Sequence, residues 1–262
     1  MAKHVARKWT KFPYADPAYV HEGPALKKAW PRLHKGDREP YPRAAEVADA
    51  WRLFHAGAFR EAVDAGHTAG DAGINAAVKA QCIYAHYLEP DDKAKIALFE
   101  EASRWADARR REEPKDANAH YLYAQALGRY GQRISVAKAL AQGFGGKIRD
   151  ALTRALEIDP RHAEAALAFG AYQSEVIDKV GALVGGLTYG AKKDSALGYF
   201  ELALKLFPES PIVHVEYANG LILLFGKGRI AEATRLYEEA AAATPRDAME
   251  RLDVELAKSE LE

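Results

Sequence analysis

The feature that most constrains the fold of this chain is a short helical pattern that ends in proline and occurs three times. In each copy a small or apolar residue is followed after four positions by a large one, then by alanine, then by proline. Residues four and seven positions apart lie on one stripe of an α-helix, so each copy predicts a helix with one packed face. Proline cannot continue the helix and sets the point at which the chain turns. The copies are Ile148, Leu152, Ala155 and Pro160; Ala196, Phe200, Ala203 and Pro208; and Ala233, Tyr237, Ala240 and Pro245.

A second helical stretch precedes each copy and has a small residue where two helices would cross: Ala124, Gly170 or Ala218. The paired stretches resemble the tetratricopeptide repeat (TPR), whose pattern runs W-x2-L-G-x2-Y, then A-x3-F, then P. This resemblance covers residues 44–245. It implies an all-α fold, a right-handed TPR-like α-solenoid of helical hairpins. The solenoid would carry an N-terminal arm, residues 1–43, and a C-terminal capping helix, residues 246–262.

Two of the repeats are longer than the standard one. Successive prolines are 46, 48 and 37 residues apart, and the extra residues all fall between the two helices of a repeat. The two larger insertions align without gaps, as ISVAKALAQGF (residues 134–144) on IDKVGALVGGL (residues 177–187). Equivalent positions of adjacent repeats are neighbours in a solenoid, so we expect the insertions to lie side by side. We also expect Leu140 and Leu183 to pack equivalently.

The glycine-rich stretch VGALVGGLTYGAKKD admits three interpretations. A phosphate-binding P-loop needs lysine directly after the second glycine and then Ser or Thr, but Ala191 follows Gly190 here. The favoured interpretation is structural: Ile, Ala and Leu extend the first helix by one or two turns or form a short extra helix, which glycines then end. The third interpretation is an edge that binds a partner or ligand.

Residues 121–207 also resemble, more narrowly, the regulator of microtubule dynamics family. The segment that carries the resemblance is ISVAKALAQGFGGKIRDALTRALEIDP, a glycine-containing insertion before a helix that ends at proline. The resemblance implies the repeat architecture. It does not carry tubulin binding to this chain, since no tubulin-contact motif is known at these positions.

Charge and cysteine content narrow the classes of partner. Lys plus Arg equals Asp plus Glu at 37 each, so no overall basic field favours nucleic acid. No apolar run is long enough to span a membrane. The single cysteine, Cys82, fits a reducing compartment, and we expect a cytoplasmic protein.

The charges are distributed unevenly along the chain. Residues 1–43 carry ten basic and four acidic side chains, whereas residues 247–262 carry two basic and six acidic ones. Two solvated ends are the simpler interpretation. The alternative is weak head-to-tail self-association, which salt would screen.

Motifs for catalysis and metal binding are missing from the sequence. It contains no HExxH, CxxC or GxSxG motif, and the nine histidines are scattered. We therefore expect no catalytic residues, no metal and no cofactor. His120, His162 and His214 could approach one another in stacked helices, where packing or capping is the simplest role.

The TPR resemblance implies a concave groove lined by the first helix of each hairpin. Transferred residue by residue, this feature predicts groove positions in three successive hairpins. They are Asn118, Tyr121, Gln125 and Arg129; Glu164, Leu167 and Ala171; and Ile212, Val215 and Asn219. Arg129 and Asn219 are the polar positions of most interest, and Tyr121 could supply a rigid aromatic contact.

The two ends of the chain do not follow the repeat pattern. The arm is rich in proline and aromatic residues, which favours extended chain and turns with one short helix at 24–30. Because so many aromatics are costly to leave in water, we expect an ordered arm along the solenoid; a mobile arm is the alternative. In the C-terminal helix, Met249, Leu252, Leu256 and Leu261 should face inward and the acids outward.

These features together predict a non-enzymatic scaffold that binds a peptide or helix of another protein in its concave groove. An arm inside that groove would compete with such a ligand. The alternative is a small-ligand-binding or transport-accessory protein with a pocket near the paired insertions. An enzyme with an unrecognised site would show a cluster of strongly perturbed ionisable groups.

Overall fold

The computed structural model describes residues 9–262, and within them the chain is α-helical without a β-strand, as predicted. A π-helical turn at Gly185–Tyr189 and 3-10 turns at Pro17–Tyr19, Gly70–Gly73 and Gly226–Arg229 supplement the α-helices. The α-helices are α1 (Pro24–Leu33), α2 (Ala45–His55), α3 (Phe59–Thr68), α4 (Ile74–Tyr87), α5 (Asp92–Glu112), α6 (Ala117–Ile134), α7 (Val136–Ala141), α8 (Phe144–Ile158), α9 (Ala163–Val184), α10 (Lys193–Leu206), α11 (Pro211–Phe225), α12 (Ile230–Ala241) and α13 (Ala248–Ser259).

Pairs of these helices form a series of hairpins: α2 with α3, α4 with α5, α6 with α8, α9 with α10, and α11 with α12. The first helices of successive hairpins, α4, α6, α9 and α11, contact one another in that order. This arrangement is the stacked solenoid that the proline-terminated pattern predicts.

Small residues are required where helices pack closely, both within a hairpin and between neighbouring hairpins. A Cβ atom added to Gly170 of α9 would lie 2.9 Å from the ring of Phe200, the large residue of the repeat pattern on α10. A Cβ added to Gly220 of α11 would lie only 2.3 Å from the same ring. Phe200 is fully buried, so it fills the space that these glycines leave open.

The two insertions take the two forms that the sequence predicts. The first forms the short helix α7, and Gly143, with a positive φ of 75°, lies between α7 and α8. The second prolongs α9 and continues into the π-helical turn, with a non-helical Gly181 at φ 80°. The chain segments that directly follow them lie close together, since a Cβ added to Gly145 would be 2.9 Å from the ring of Tyr189. That the two insertions pack side by side along their length stays a prediction.

The expectation of equivalent packing, however, is wrong for the second insertion. Phe144 is buried, whereas its counterpart Leu187 is 82% exposed. Leu140 packs at the edge of the core, but Leu183 is 75% exposed. The physical reason is Gly181, whose backbone leaves the helical path and carries the following residues away from the face that buries Val176.

The N-terminal arm is ordered against the repeats over residues 9–43, and residues 1–8 lie outside the part that the structure describes. Trp9 stacks on Tyr84 with ring centroids 3.7 Å apart. Trp30 of α1 is buried and meets the edge of Trp51 on α2. These aromatic contacts hold residues 9–43 against the repeats, because each ring removes a large apolar surface from water.

A buried ammonium group joins the arm to two different hairpins. Lys79 Nζ on α4 lies 2.6 Å from Asp37 Oδ2 of the arm and 2.9 Å from Glu164 Oε2 on α9. Beside this pair, the Glu164 amide donates to the carbonyl oxygen of Gly36 at 3.1 Å. The arm therefore crosses the first turns of the helices that line the groove.

The last helix folds back to the beginning of the chain. Helix α13 contacts α11 and α12 and also α2, and Asp247 at its start lies 2.7 Å from the buried His55 Nδ1. Glu250 and Asp253 are 5% and 1% exposed, so the expectation that the acids of this helix face outward is wrong for them. The reason is that α13 bridges two hairpins and is covered on both sides.

Removing the ammonium of Lys79 should destabilise the fold strongly. We expect Lys79→Met to lower the free energy of unfolding by about 3–5 kcal/mol, because Asp37 and Glu164 would remain buried without a counter-charge. Urea unfolding measures the change. The control is Lys35→Met, which removes a partly exposed pair with Glu209 and should cost less than about 1 kcal/mol. Equal losses in the two variants would contradict this account.

The two equivalent leucines of the insertions should respond differently to truncation. Leu140→Ala should cost about 2 kcal/mol, because the side chain packs at the core. Leu183→Ala should stay within about 0.5 kcal/mol, because most of that side chain is in water. Thermal unfolding of the two variants tests the difference, and a large loss for Leu183→Ala would show that the second insertion is packed.

Candidate functional site

The first helices of the hairpins surround a cavity of about 150 Å³ that is lined mainly by apolar side chains. Helices α4, α6, α9 and α11 form its base. The first insertion supplies one wall through Val136, Ala139, Leu140 and Phe144, and α13 supplies another through Met249 and Asp253. We call this cavity the chamber. It is the part of the groove that the arm and α13 leave unfilled.

Seven of the ten predicted groove positions line the chamber: Tyr121, Gln125, Arg129, Glu164, Leu167, Ala171 and Ile212. Their role in binding stays a prediction. Helical periodicity places the α6 positions on one face of α6 and the α9 positions on one face of α9. Stacking of the hairpins brings these two faces together. An adjoining cavity of about 340 Å³ is lined by Asn219, Leu223 and Glu260, and it shares Arg129 and Ala171 with the chamber.

The other predicted positions do not face the chamber. Asn118 is 5% exposed; its side chain donates to Glu39 Oε2 at 2.6 Å and accepts from His162 Nε2 at 2.9 Å. Val215 is fully buried inside the repeat stack. Asn219 accepts a hydrogen bond from the Tyr237 hydroxyl at 2.5 Å. Asn118 is thus engaged by the arm, which covers the beginning of α6.

The mouth between the chamber and the adjoining cavity is lined by charged side chains that pair with one another. Arg129 Nη2 donates to Glu216 Oε1 at 2.6 Å, and Gln132 donates to Glu175. Although burial opposes the charge of Arg129, the Glu216 carboxylate holds the pKa of the guanidinium above its usual value. Arg129 is therefore a fixed cation that is already neutralised, and the mouth as a whole is acidic.

Several chamber residues were not predicted from the sequence. Ile83, His86 and Tyr87 belong to α4, whose nearly continuous apolar pattern gives no hint of which face borders a groove. Met249 and Asp253 belong to α13, and no local signal indicates that this helix returns to the concave side. The burial of the acids of α13 could have been predicted only from the length of this helix and from which of its residues share one face.

The three histidines that stacking could bring together serve as local caps and packing groups. The His162 ring accepts the amide of Ala165 at 3.0 Å and so caps α9, while His214 and His120 contact the carbonyl oxygens of Ser210 and Pro114. No group of three or more His, Cys, Asp or Glu side chains in residues 9–262 is arranged to hold a metal ion.

Glu39 of the arm is a partly buried acid whose pKa departs from its ordinary value. Burial, together with the nearby carboxylates of Asp37 and Asp116, raises its pKa to about 8. Its Oε2 atom accepts hydrogen bonds from Asn118 and Asn75. Glu39 is therefore mostly protonated at neutral pH, and the arm is docked with an uncharged group at this point.

The arm should loosen above neutral pH because of Glu39. A carboxyl whose pKa is raised by folding stabilises the fold below its unfolded pKa, and that stability is lost as the pH rises through about 8. We expect wild-type protein to lose more stability between pH 7 and pH 9.5 than Glu39→Gln, which mimics the protonated acid. Urea unfolding at the two pH values measures the difference. Parallel losses would contradict the assignment.

Comparison with known proteins supports the fold and identifies a family. The sequence profile described as "Regulator of microtubule dynamics protein 1-3" matches residues 74–261. A solved structure of a thermophilic TPR protein from Thermus thermophilus is similar with a TM-score of 0.58 and 18% sequence identity, covering 82% of this chain and 98% of that chain. At this identity the likeness shows the fold alone, a TPR-like α-solenoid.

No curated protein sequence matches the chain. Within residues 9–262, no helix is both long enough and apolar enough to cross a membrane.

Proposed function

The chain belongs to the regulator of microtubule dynamics protein 1-3 family, and from that premise we propose that it is a non-enzymatic scaffold that binds a segment of a partner protein in its concave groove. A TPR-like fold suggests an interaction scaffold in general. The observation that carries the more specific proposal is the chamber, an open apolar cavity at the centre of the groove. Its size suits one apolar side chain of a partner and not a peptide along the whole groove.

The arm supports a short docking site. Residues 34–39 pack across the first turns of α4, α6 and α9 and are tied down by the buried Lys79. A partner cannot displace this segment without breaking those buried ion pairs. The arm is thus a fixed boundary of the groove in our proposal, and not the displaceable competitor that the sequence suggested.

The charges at the mouth indicate what kind of segment would dock. Glu175, Glu216 and Glu260 border the adjoining cavity, and Arg129 is neutralised there by Glu216. An amphipathic segment with one apolar anchor and neighbouring basic side chains would match this surface. Because the family is named for microtubule dynamics, purified tubulin is the first protein to test.

An ion pair within one molecule would compete with the predicted self-association between molecules. Arg32 of the basic arm pairs with Glu250 of the acidic end at 2.6 Å in one molecule. Head-to-tail association through the remaining charges, a cytoplasmic location and the exclusion of nucleic acid all remain proposals that rest on composition.

Blocking the mouth should abolish docking. Ala171 lines both cavities and is only partly buried, so Ala171→Trp would fill the entrance without displacing a packed side chain. We expect capture of protein partners, tubulin included, to fall by about tenfold or more. The matched control is Ala231→Trp at an exposed position of α12, which should capture like wild type. Unchanged capture by a folded Ala171→Trp variant would rule out the groove as the docking site.

A small-molecule site is the second candidate, favoured by one observation. The wall of the chamber comes from the first insertion, through Ala139 and Phe144, which are both buried. An insertion that encloses a cavity is consistent with the pocket expected near the paired insertions. The second insertion, by contrast, ends in exposed leucines.

A further inference from the structure

Four buried polar atoms without a hydrogen-bond partner in the protein belong to residues that line the chamber. They are His86 Nδ1, Gln125 Oε1, Tyr172 Oη and Asp253 Oδ2. Tyr172 and Asp253 are only 8% and 1% exposed. Leaving a buried polar atom unpaired is costly, so a group of four around one cavity indicates that the cavity receives a molecule with polar atoms.

The two most deeply buried of these groups act as donors. Burial, together with the carboxylates of Asp247 and Glu250, raises the pKa of Asp253 well above its usual value. Since the Tyr87 hydroxyl donates to Oδ1, a protonated Asp253 would carry its proton on the unpartnered Oδ2. Burial also raises the pKa of Tyr172 to about 12, so its hydroxyl keeps its proton.

The remaining two groups are uncharged as well. The Gln125 carbonyl oxygen is an acceptor. Burial, with help from the positive charge of Arg129, lowers the pKa of His86 well below its usual value, so that ring is neutral. The four atoms therefore offer hydrogen bonds without offering a charge.

The chamber has no free positive charge for an anion. Arg129 is the single Lys or Arg among the lining residues, all of which the structure describes, and it is paired with Glu216. Glu164 and Glu175 add further carboxyl groups to the lining. A carboxylate or phosphate entering the chamber would lose its hydration without gaining a counter-ion.

We propose that the chamber binds an uncharged, mostly apolar molecule about the size of a benzene ring that carries a hydroxyl or carbonyl group. The size follows from the volume, since an engineered apolar cavity of about 150 Å³ holds benzene. The apolar body of the ligand would lie against Leu167 and Phe144, and its oxygen would pair with Tyr172 or Asp253. This inference rests on the second candidate function and defines the chemistry of its ligand.

Three probes of nearly equal size separate the contributions of the apolar ring, the neutral oxygen and a negative charge to binding. Benzyl alcohol has the apolar ring and a neutral oxygen, toluene has the ring alone, and benzoate has the ring and a negative charge. Isothermal titration of the full chain at neutral pH should give millimolar or tighter binding of benzyl alcohol, about five- to tenfold weaker binding of toluene, and no measurable binding of benzoate.

A single-atom variant tests the polar part of the site. Tyr172→Phe removes an oxygen that makes no hydrogen bond in the protein, so it should fold normally and reduce the preference for benzyl alcohol over toluene. Tyr199→Phe is the matched control, because Tyr199 stacks on Phe169 and does not line the chamber. It should leave all three affinities unchanged.

The outcomes that would overturn the proposal are distinct. Equal affinities for benzyl alcohol and toluene, unaffected by Tyr172→Phe, would mean that the polar atoms serve water only. Tight benzoate binding, or no binding of any probe, would also overturn it. If no probe binds while Ala171→Trp still abolishes partner capture, the ligand site fails and the scaffold function stands.

Discussion

The structure depends most on the buried ammonium of Lys79. Repeat arrays are held together by contacts between neighbouring hairpins, and such contacts alone leave the two ends independent. Lys79 instead binds Asp37, which is 42 residues away in sequence, and Glu164, which is 85 residues away. A charged group that is buried away from water is stable only when groups of opposite charge lie close to it, and here Asp37 and Glu164 are those groups. The arm, the second hairpin and the fourth hairpin are therefore fixed in one arrangement.

The polar contacts continue from this point to the other end of the chain. Asp37 lies 3.0 Å from the His34 ring, the rings of His34 and His55 meet at 3.1 Å, and His55 contacts Asp247 at the start of α13. The arm and the last helix are thus anchored to the same buried cluster. As a result, the arm and α13 both cover parts of the concave groove of the solenoid, and they leave the chamber and the adjoining cavity open.

This closure changes what the groove can bind. An open TPR-like groove offers a long surface to an extended peptide, whereas the chamber offers a short apolar site with an acidic mouth. Inside it the acid Asp253 and the neutral ring of His86 provide polarity without charge, because burial opposes ionisation at both. Because the lining of the chamber is buried, an anionic group that entered it would lose its hydration without gaining a counter-ion. An apolar anchor residue of a partner and a small neutral ligand are the two occupants that we propose on the basis of this chemistry.

The sequence by itself determined the paired helices of the three proline-terminated repeats and the site of each insertion, because these follow from periodicity, proline positions and repeat alignment. It also identified Tyr121, Arg129 and Leu167 as members of one face. Only the tertiary structure decided that Asn118 is covered by the arm, that α13 returns to α2, and that Leu183 is exposed where Leu140 packs. Local patterns report which side of a helix is apolar, but they do not report which distant segment covers it. That choice depends on buried charges such as Lys79, whose partners lie far away along the chain.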